Sequence, residues 1–454
     1  MNVLKTNKIF SLLVSACLLS TSPVAMAKVS QADAAKLGVT LTPVGAEKSA
    51  NGSGSIPAWD GQVVNTMDEQ GFLKNPFPQD KPLYVITSKN MDQYKELLTE
   101  GHKALFKAFP DSYKMPVYKT RRTAAYSKEL YENAKVDAVS AELANKGNGV
   151  VGFKGNVPFP IPANGLEVYW NHINRFKGGS MQWGSILAPV QTNGSYSLIK
   201  VEDKLVWPDY LLDRGSFDAD NLLYFYTRKV TAPARMTGNV QLVREPLDHI
   251  KEPRGAWVYN AGQRRVRRAP TIAYDGPAFA SEGMRTSDNI DMFNGAPDRY
   301  NMKLMGKKEM LIPYNAYQVA SRDLKYSDII KKGHINQEHA RYELHRVWVV
   351  EATLKESERH IYAKRVFYVD EDTWQIAHVD HYDERGNLWR VGEGHMAFFS
   401  KPMMSWYSLG TLYDLIARRY FVDWLMNEEP KAIDFSRTAR SRDFTPSSLR
   451  RAGR

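Results

Sequence analysis

Residues 341 to 391, RYELHRVWVVEATLKESERHIYAKRVFYVDEDTWQIAHVDHYDERGNLWRV, constrain the fold more than any other stretch of the chain. From Arg341 to Leu354 the even positions carry Tyr342, Leu344, Arg346, Trp348, Val350, Ala352 and Leu354, while the odd ones include Arg341, Glu343, His345, Glu351 and Thr353. Successive side chains of a strand point to opposite faces, so period two with one mostly apolar face predicts a half-buried antiparallel strand. The next run alternates too, with Ile361, Ala363, Phe367 and Val369 on one face and His360, Tyr362, Lys364 and Tyr368 on the other. The connections are hairpin-length: Lys355 to Arg359, Glu371-Asp372, and Asp383 to Asn387, where Gly386 can take the positive φ that ends a tight turn. Four meander strands are expected, with an apolar face that something else must cover.

With 454 residues, 43% of them hydrophobic and 24% charged, the chain can bury a large core. Its continuous apolar segment, Ile9 to Leu19, follows Lys5 and Lys8 and precedes Ala25-Met26-Ala27. That is the pattern of a secretory signal peptide over 1–27, too short for a membrane span, so export is expected. Val14-Ser15-Ala16-Cys17 also fits a lipobox that would lipidate Cys17. Soluble export is the preferred reading, because Leu18-Leu19 carries the apolar region past that cysteine. Cys17 is the sole cysteine, so a chain cleaved after Ala27 has neither disulfides nor thiolate chemistry. The net charge of +11, or +9 without Lys5 and Lys8, favours anionic partners such as lipid headgroups or acidic protein surfaces. Nucleic acid is not expected outside the cytoplasm.

Residues 28–195 read as an N-terminal arm, two helices and a loop. The arm, to about Lys89, has prolines at 43, 57, 76, 78 and 82 and is expected to run extended over the surface. Helical spacing predicts one helix from an Asn90 cap to Pro110 and a second over Ala124 to Asn145. Residues 146–195, rich in Gly and Pro, are expected to form an ordered loop. Residues 196–400 carry short alternating runs with frequent turns, interrupted by an excursion over 275–326 that could form a lid. In 401–454, Leu412, Leu415, Ile416, Tyr420 and Trp424 suggest an amphipathic helix, followed by a basic tail.

The segments VYNAGQRRVRRAPTIAYDGP, FNGAPDRYNMKLMGKKEMLIPYNAY, RYELHRVWVVEATLK and RHIYAKRVFYVDEDTWQI closely resemble the proteobacterial family called domain of unknown function 1329. The resemblance extends to LTPVGAEK and to KMPVYKTRRTAAY at Lys114 to Tyr126. It implies an exported protein similar to the periplasmic lipoprotein carriers LolA and LolB. The implied fold is mainly β (α+β), a curved antiparallel sheet forming an incomplete barrel covered by helices. It further implies a Gram-negative periplasmic setting, with a partner transporter of the resistance-nodulation-division superfamily and an outer-membrane-associated protein. The family brings no catalytic motif, and this chain's arm, helices and excursion have no counterpart in those carriers.

Among candidate site residues, Trp257, Tyr259, Leu344, Trp348, Val350, Phe367 and Trp389 lie in predicted strands and would line a cavity for a lipid or other hydrophobic ligand if the sheet is concave. The alternative is that they fill a packed core. Arg264, Arg265, Arg267 and Arg268 follow a predicted hairpin turn and read either as a solvated strand or as a contact for an anionic headgroup or partner. Arg346 and Arg365 fall on apolar strand faces, where a guanidinium requires a carboxylate or a ligand headgroup. His378, Asp380, His381 and Asp383 alternate between faces, so no metal is assigned to them. Glu371-Asp372 and Asp383-Glu384 read as turn formers. No nucleophile elbow, phosphate loop or zinc protease motif is present, and no cofactor or enzymatic activity is assigned.

The expected function is a periplasmic carrier or chaperone for a lipid-like molecule. A non-catalytic adaptor with a fully packed sheet is the alternative, and a glycan- or lipid-modifying hydrolase a third.

Overall fold

A computed structural model of the chain describes residues 29–215, 221–269 and 274–454. The signal-peptide and Cys17 readings lie outside these residues. The elements begin with α1 (Gln31–Ala34), β1 (Tyr84–Thr87), α2 (Glu100–Ala108), β2 (Lys114–Tyr118), α3 (Lys128–Ser140), β3 (Glu142–Ala144), β4 (Gly149–Val151) and α4 (Gly165–Asn174). A run of strands follows: β5 (Ser180–Val190), β6 (Ile199–Val206), β7 (Leu222–Ala232), β8 (Val240–Pro246), β9 (Gly255–Asn260), β10 (Arg265–Arg268) and β11 (Tyr300–Pro313). After α5 (Tyr326–Ile329) come β12 (Tyr342–Leu354), β13 (Lys364–Asp370), β14 (Ile376–Tyr382), β15 (Leu388–Phe399), β16 (Met404–Asp414), β17 (Arg419–Asp423) and α6 (Leu449–Ala452).

Fifteen strands form one sheet, in the order β1-β2-β12-β13-β14-β15-β16-β17-β5-β6-β7-β8-β9-β10, with β11 on the other edge of β12. Every pairing is antiparallel except a short parallel contact of β2 with β12, Tyr342 opposite Val117. All three parts of the chain, 28–195, 196–400 and 401–454, contribute strands to this one sheet. It is open: among the described residues β10 pairs only with β9 and β11 only with β12. It is also curved. Val243 on β8 and Trp406 on β16 border one cavity of about 40 Å³, although five strand steps separate them, which in a flat sheet would be roughly 24 Å.

The concave face is filled. Val168, Tyr169, Trp170 and Ile173 of α4, Leu130 and Ala134 of α3, Val44 and Met67 of the arm, and Phe293 of the excursion pack there against Trp183, Phe367 and Trp406. The N-terminal turn of α4 lies so close to β11 that a Cβ on Gly165 would stand 2.7 Å from the Met302 carbonyl oxygen. The opposite face is covered at its centre by α2, whose Leu105 and Phe106 pack on Val391, Leu409 and Val422. Further along, the C-terminal tail covers it with Phe444 stacked on Phe225 at 4.7 Å.

The four meander strands form as expected, but several other expectations are corrected. The segment read as a C-terminal amphipathic helix is the β16–β17 hairpin. All eleven residues of β16 are buried, and a strand apolar on both faces loses the period-two signal. The 275–326 excursion contains β11, the longest strand, whose alternation is hidden between glycines and prolines. The loop read over 146–195 contains β4, α4 and all of β5. The helix from Asn90 is a 3-10 turn over Met91–Leu97 that breaks before α2, where Thr99 caps the new helix through the His102 N–H. The second helix is confined to α3.

Candidate functional site

Helix α4 sets the site. Asn164 caps it by accepting from Glu167 N at 3.1 Å, and the helix is buried from Val168 to Asn174. A helix buried on all sides lacks an amphipathic stripe, and its polar groups must find partners inside. Trp170 Nε1 donates to the Gly147 carbonyl at 2.9 Å, and the Asn171 amide exchanges bonds with Phe159 at 2.7 and 2.8 Å. At its C-terminal end, His172, Arg175 and Lys177 converge on Asp291 of the excursion. Arg175 clasps that carboxylate with two nitrogens, Lys177 Nζ lies 3.2 Å from Oδ2, and His172 Nε2 lies 2.9 Å from the Asp291 carbonyl oxygen.

The electrostatics follow from burial. Burial lowers Lys177 to about 8, with Asp291 opposing that shift. His172 is lowered to about 3 by burial and by the Arg175 charge. Asp291 is held well below the usual carboxylate range; burial opposes its charge, and Arg175, Lys177 and His172 outweigh it.

Beside this cluster lies a cavity of about 40 Å³ lined by Lys177, Trp183, Tyr224, Trp406, Trp424 and Asp291 among others. Trp183 stacks on Trp424 at 5.2 Å, and Trp406 meets Trp424 edge-on at 5.0 Å. The indole nitrogens of Trp183 and Trp406 are buried without a hydrogen-bond partner. Lys177 Nζ lies 5.5 Å from the Tyr224 ring centre. Asp291, Met292 and Trp424 have φ of 56°, 64° and 70°, a conformation bulky side chains seldom take outside built sites.

The residues expected to line a cavity are dispersed. Trp348, Val350 and Phe367 do share the concave-face cluster. Trp257 and Tyr259 pack on the opposite face under the C-terminal tail, and Leu344 packs in the α2 cluster. Trp389 sits edge-on to Tyr362 and donates to Asp414 at 3.2 Å. None of the seven lines the pocket. Of its three tryptophans, Trp183 stands in a segment read as loop and Trp424 in one read as helix, while Trp406 of β16 precedes that segment.

The arginines divide in two groups. Arg365 has the carboxylate it requires: Nη2 is 2.8 Å from Asp288 Oδ2, which also accepts from His360 at 3.0 Å. Arg346 lies 3.4 Å from both Glu371 and Glu47. Arg264, Arg265, Arg267 and Arg268 are exposed at the sheet edge β10, and none forms an ion pair among the described residues. Charges there discourage pairing with another chain's edge. Glu371 and Asp372 stand in the turn between β13 and β14, as expected, and are also buried against Lys307, Arg346 and Arg122.

His378 and Asp380 lie under α2, whereas His381 faces Asn289 on the concave side and Asp383 caps its own turn. Two groups of side chains among the described residues have the ligand types and closeness for a cation, His102 with His378 and Glu393, and His345 with Asp370 and Asp372. In the second, Arg122 already neutralises Asp372.

Residues 85–450 match the family described as protein of unknown function, DUF1329. The chain belongs to the DUF1329 family. An uncharacterized protein of Pseudomonas aeruginosa is 54% identical over 431 residues, covering 94% of this chain and 95% of that one. Among solved structures, a domain from Vibrio parahaemolyticus described as a candidate outer membrane lipoprotein-sorting protein has a TM-score of 0.44 at 14% identity, covering 63% of this chain and 98% of that one. A DUF1329 protein from Desulfovibrio piger has a TM-score of 0.37 at 14% identity, covering 54% and 82%. A LolA superfamily protein from Nitrosomonas europaea has a TM-score of 0.37 at 12% identity, covering 63% and 98%. No helix among the described residues is long and apolar enough to cross a membrane.

Proposed function

We propose that this DUF1329 protein is a periplasmic carrier that holds a hydrophobic molecule on the concave face of its sheet, at the Trp183–Trp406–Trp424 pocket. The observation that carries the reading is the convergence of three tryptophans, two with unpartnered indole N–H groups, beside Lys177. An apolar lining with a few polar groups is the usual make-up of a small-molecule site.

The pocket of about 40 Å³ is far below the roughly 300–1,000 Å³ of a ligand-filled site. Loading therefore requires the excursion residues Ser287, Ile290, Asp291 and Asn294, which border the pocket, to move outward. An acyl chain of about 15 methylenes gains roughly 12 kcal/mol on leaving water, so release would need a partner. A resistance-nodulation-division transporter and an outer-membrane-associated protein are the proposed partners, with the exposed arginines of β10 meeting an anionic headgroup or docking surface.

The packing of α3 and α4 into the concave face favours a second reading, an adaptor without a ligand. Native mass spectrometry of protein purified gently from the periplasm, followed by solvent extraction, separates the two. A stoichiometric hydrophobe that is lost in Trp406→Ala supports the carrier. A clean apo mass that persists after incubation with membrane lipids supports the adaptor.

A further inference from the structure

Helix α2 covers a sealed polar chamber on the face opposite the pocket. His102 comes from α2, His378 and Asp380 from β14, and Glu393 and His395 from β15; all five side chains are fully buried. In the register, His378 stands directly opposite Glu393. His102 Nε2 lies 3.1 Å from Glu393 Oε1, the two imidazole rings of His102 and His378 are 4.4 Å apart, and His395 Nε2 is 3.9 Å from Glu393 Oε2. One ligand atom each from His102, His378 and Glu393 lie within 4.8 Å of one another.

Three features distinguish this chamber from an ordinary buried network. First, its carboxylates lack a permanent cation. The buried carboxylates Asp288, Asp291, Glu343 and Asp372 each pair with an arginine, whereas Glu393 and Asp380 meet only histidines and the hydroxyls of Tyr342 and Tyr368.

Second, coordinating atoms are left over. Both ring nitrogens of His395, Nδ1 of His378 and Oε2 of Glu393 are buried without a hydrogen-bond partner, where native interiors leave few such groups. Third, the helix is fitted closely to the chamber. A Cβ on Gly101 would stand 2.7 Å from His378 Nε2 and closer still to Asp380 Oδ1, so at that distance only glycine lets the first turn of α2 close over these side chains.

We infer that His102, His378 and Glu393, with His395 adjacent as a fourth donor, bind a divalent transition-metal ion of the zinc class. Imidazole nitrogen and carboxylate oxygen are its usual ligands, at about 2.0–2.2 Å, and a dication would offset the two carboxylate charges. Binding at His102 Nε2 requires the neutral ring's single N–H proton, now donated to Glu393, to move to Nδ1, giving up the 3.4 Å contact accepted from Thr99 N–H. The enclosure by α2 makes this a structural ion that clamps the helix to β14 and β15. It is independent of the pocket on the other face.

The test is elemental analysis of the full mature protein, purified from the periplasm without chelator, followed by stripping and titration with Zn²⁺ and Co²⁺. One equivalent of metal, a higher Tm on adding Zn²⁺ to stripped protein, and Co²⁺ absorption bands of a four-coordinate N/O site are expected. The double variant His102→Asn/His378→Asn should lose metal affinity more than about tenfold, while His339→Asn, outside the chamber, keeps it. Wild-type protein without metal and without a Zn²⁺-dependent Tm change would overturn the assignment, whether or not the double variant folds. Full metal retention in a folded double variant would also overturn it.

Discussion

Arg122 and Asp372, 250 residues apart in sequence, meet through two hydrogen bonds, Nε to Oδ2 at 2.8 Å and Nη2 to Oδ1 at 2.6 Å. Both side chains are buried, and the pair ties the segment after β2 to the β13–β14 hairpin. Removing one member of a buried ion pair leaves the other charge uncompensated, so Arg122→Ala should lose about 3–5 kcal/mol. Urea denaturation of wild type and variant measures the difference. Arg122→Lys should recover only part of it, because an ammonium cannot hold both oxygens in a planar fork.

Asp370 predicts a pH dependence. Its carboxyl is pushed up to about 7, mainly by burial; the His345 charge opposes the shift, and Asp372 and Glu371 add to it. An unfolded aspartate titrates near 3.9, so between about pH 4 and pH 7 the folded chain holds a proton that the unfolded chain releases. Stability from this group therefore falls as pH rises through that window. Asp370→Asn should flatten the fall and raise stability at about pH 8 by on the order of 2 kcal/mol. Denaturation midpoints at about pH 5 and about pH 8 would show it, and a variant less stable at both would count against the assignment.

Gly165→Ala tests how α4 is seated. The new Cβ would meet Met302 backbone atoms at 2.7 and 2.9 Å, and backbone cannot yield as a flexible side chain can. Overpacking of this kind costs about 1–3 kcal/mol. Thermal melting should report the loss, together with faster hydrogen exchange confined to α4 and β11.

Trp406→Ala removes a buried ring that packs edge-on to Trp424 and lies 5.3 Å from the Arg175 guanidinium. A cost of about 3–5 kcal/mol is expected for truncating a buried tryptophan. The enlarged cavity should then take up a small apolar probe such as benzene, and recovery of Tm with added probe would register it.

Much of the fold is legible where polar and apolar side chains alternate along a strand, even though both faces of β12 to β15 are largely buried. Strands β12 to β15 are readable from alternation, as of Leu344, Trp348 and Val350 with Glu343, His345 and Glu351, and Arg365, on an apolar face that requires a carboxylate or a headgroup, meets Asp288. Where both faces carry apolar side chains the period disappears, so β16 and β17 resemble a helix, and α4, buried almost all round, resembles a loop. The pocket was illegible for the same reason, since Trp183 and Trp424 stand in those misread segments.

The sequence by itself determined local matters: which runs alternate, where turns close, which charges need partners, and the likeness to DUF1329. The tertiary structure decided curvature, what occupies the concave face and which distant side chains meet. His102, His378 and Glu393 converge only because α2 docks across β14 and β15. Asp291 reaches Arg175 and Lys177 only because the excursion folds back over α4. Periodicity reports on a residue's neighbours within a few positions, whereas such contacts depend on the twist and coiling accumulated over fifteen strands.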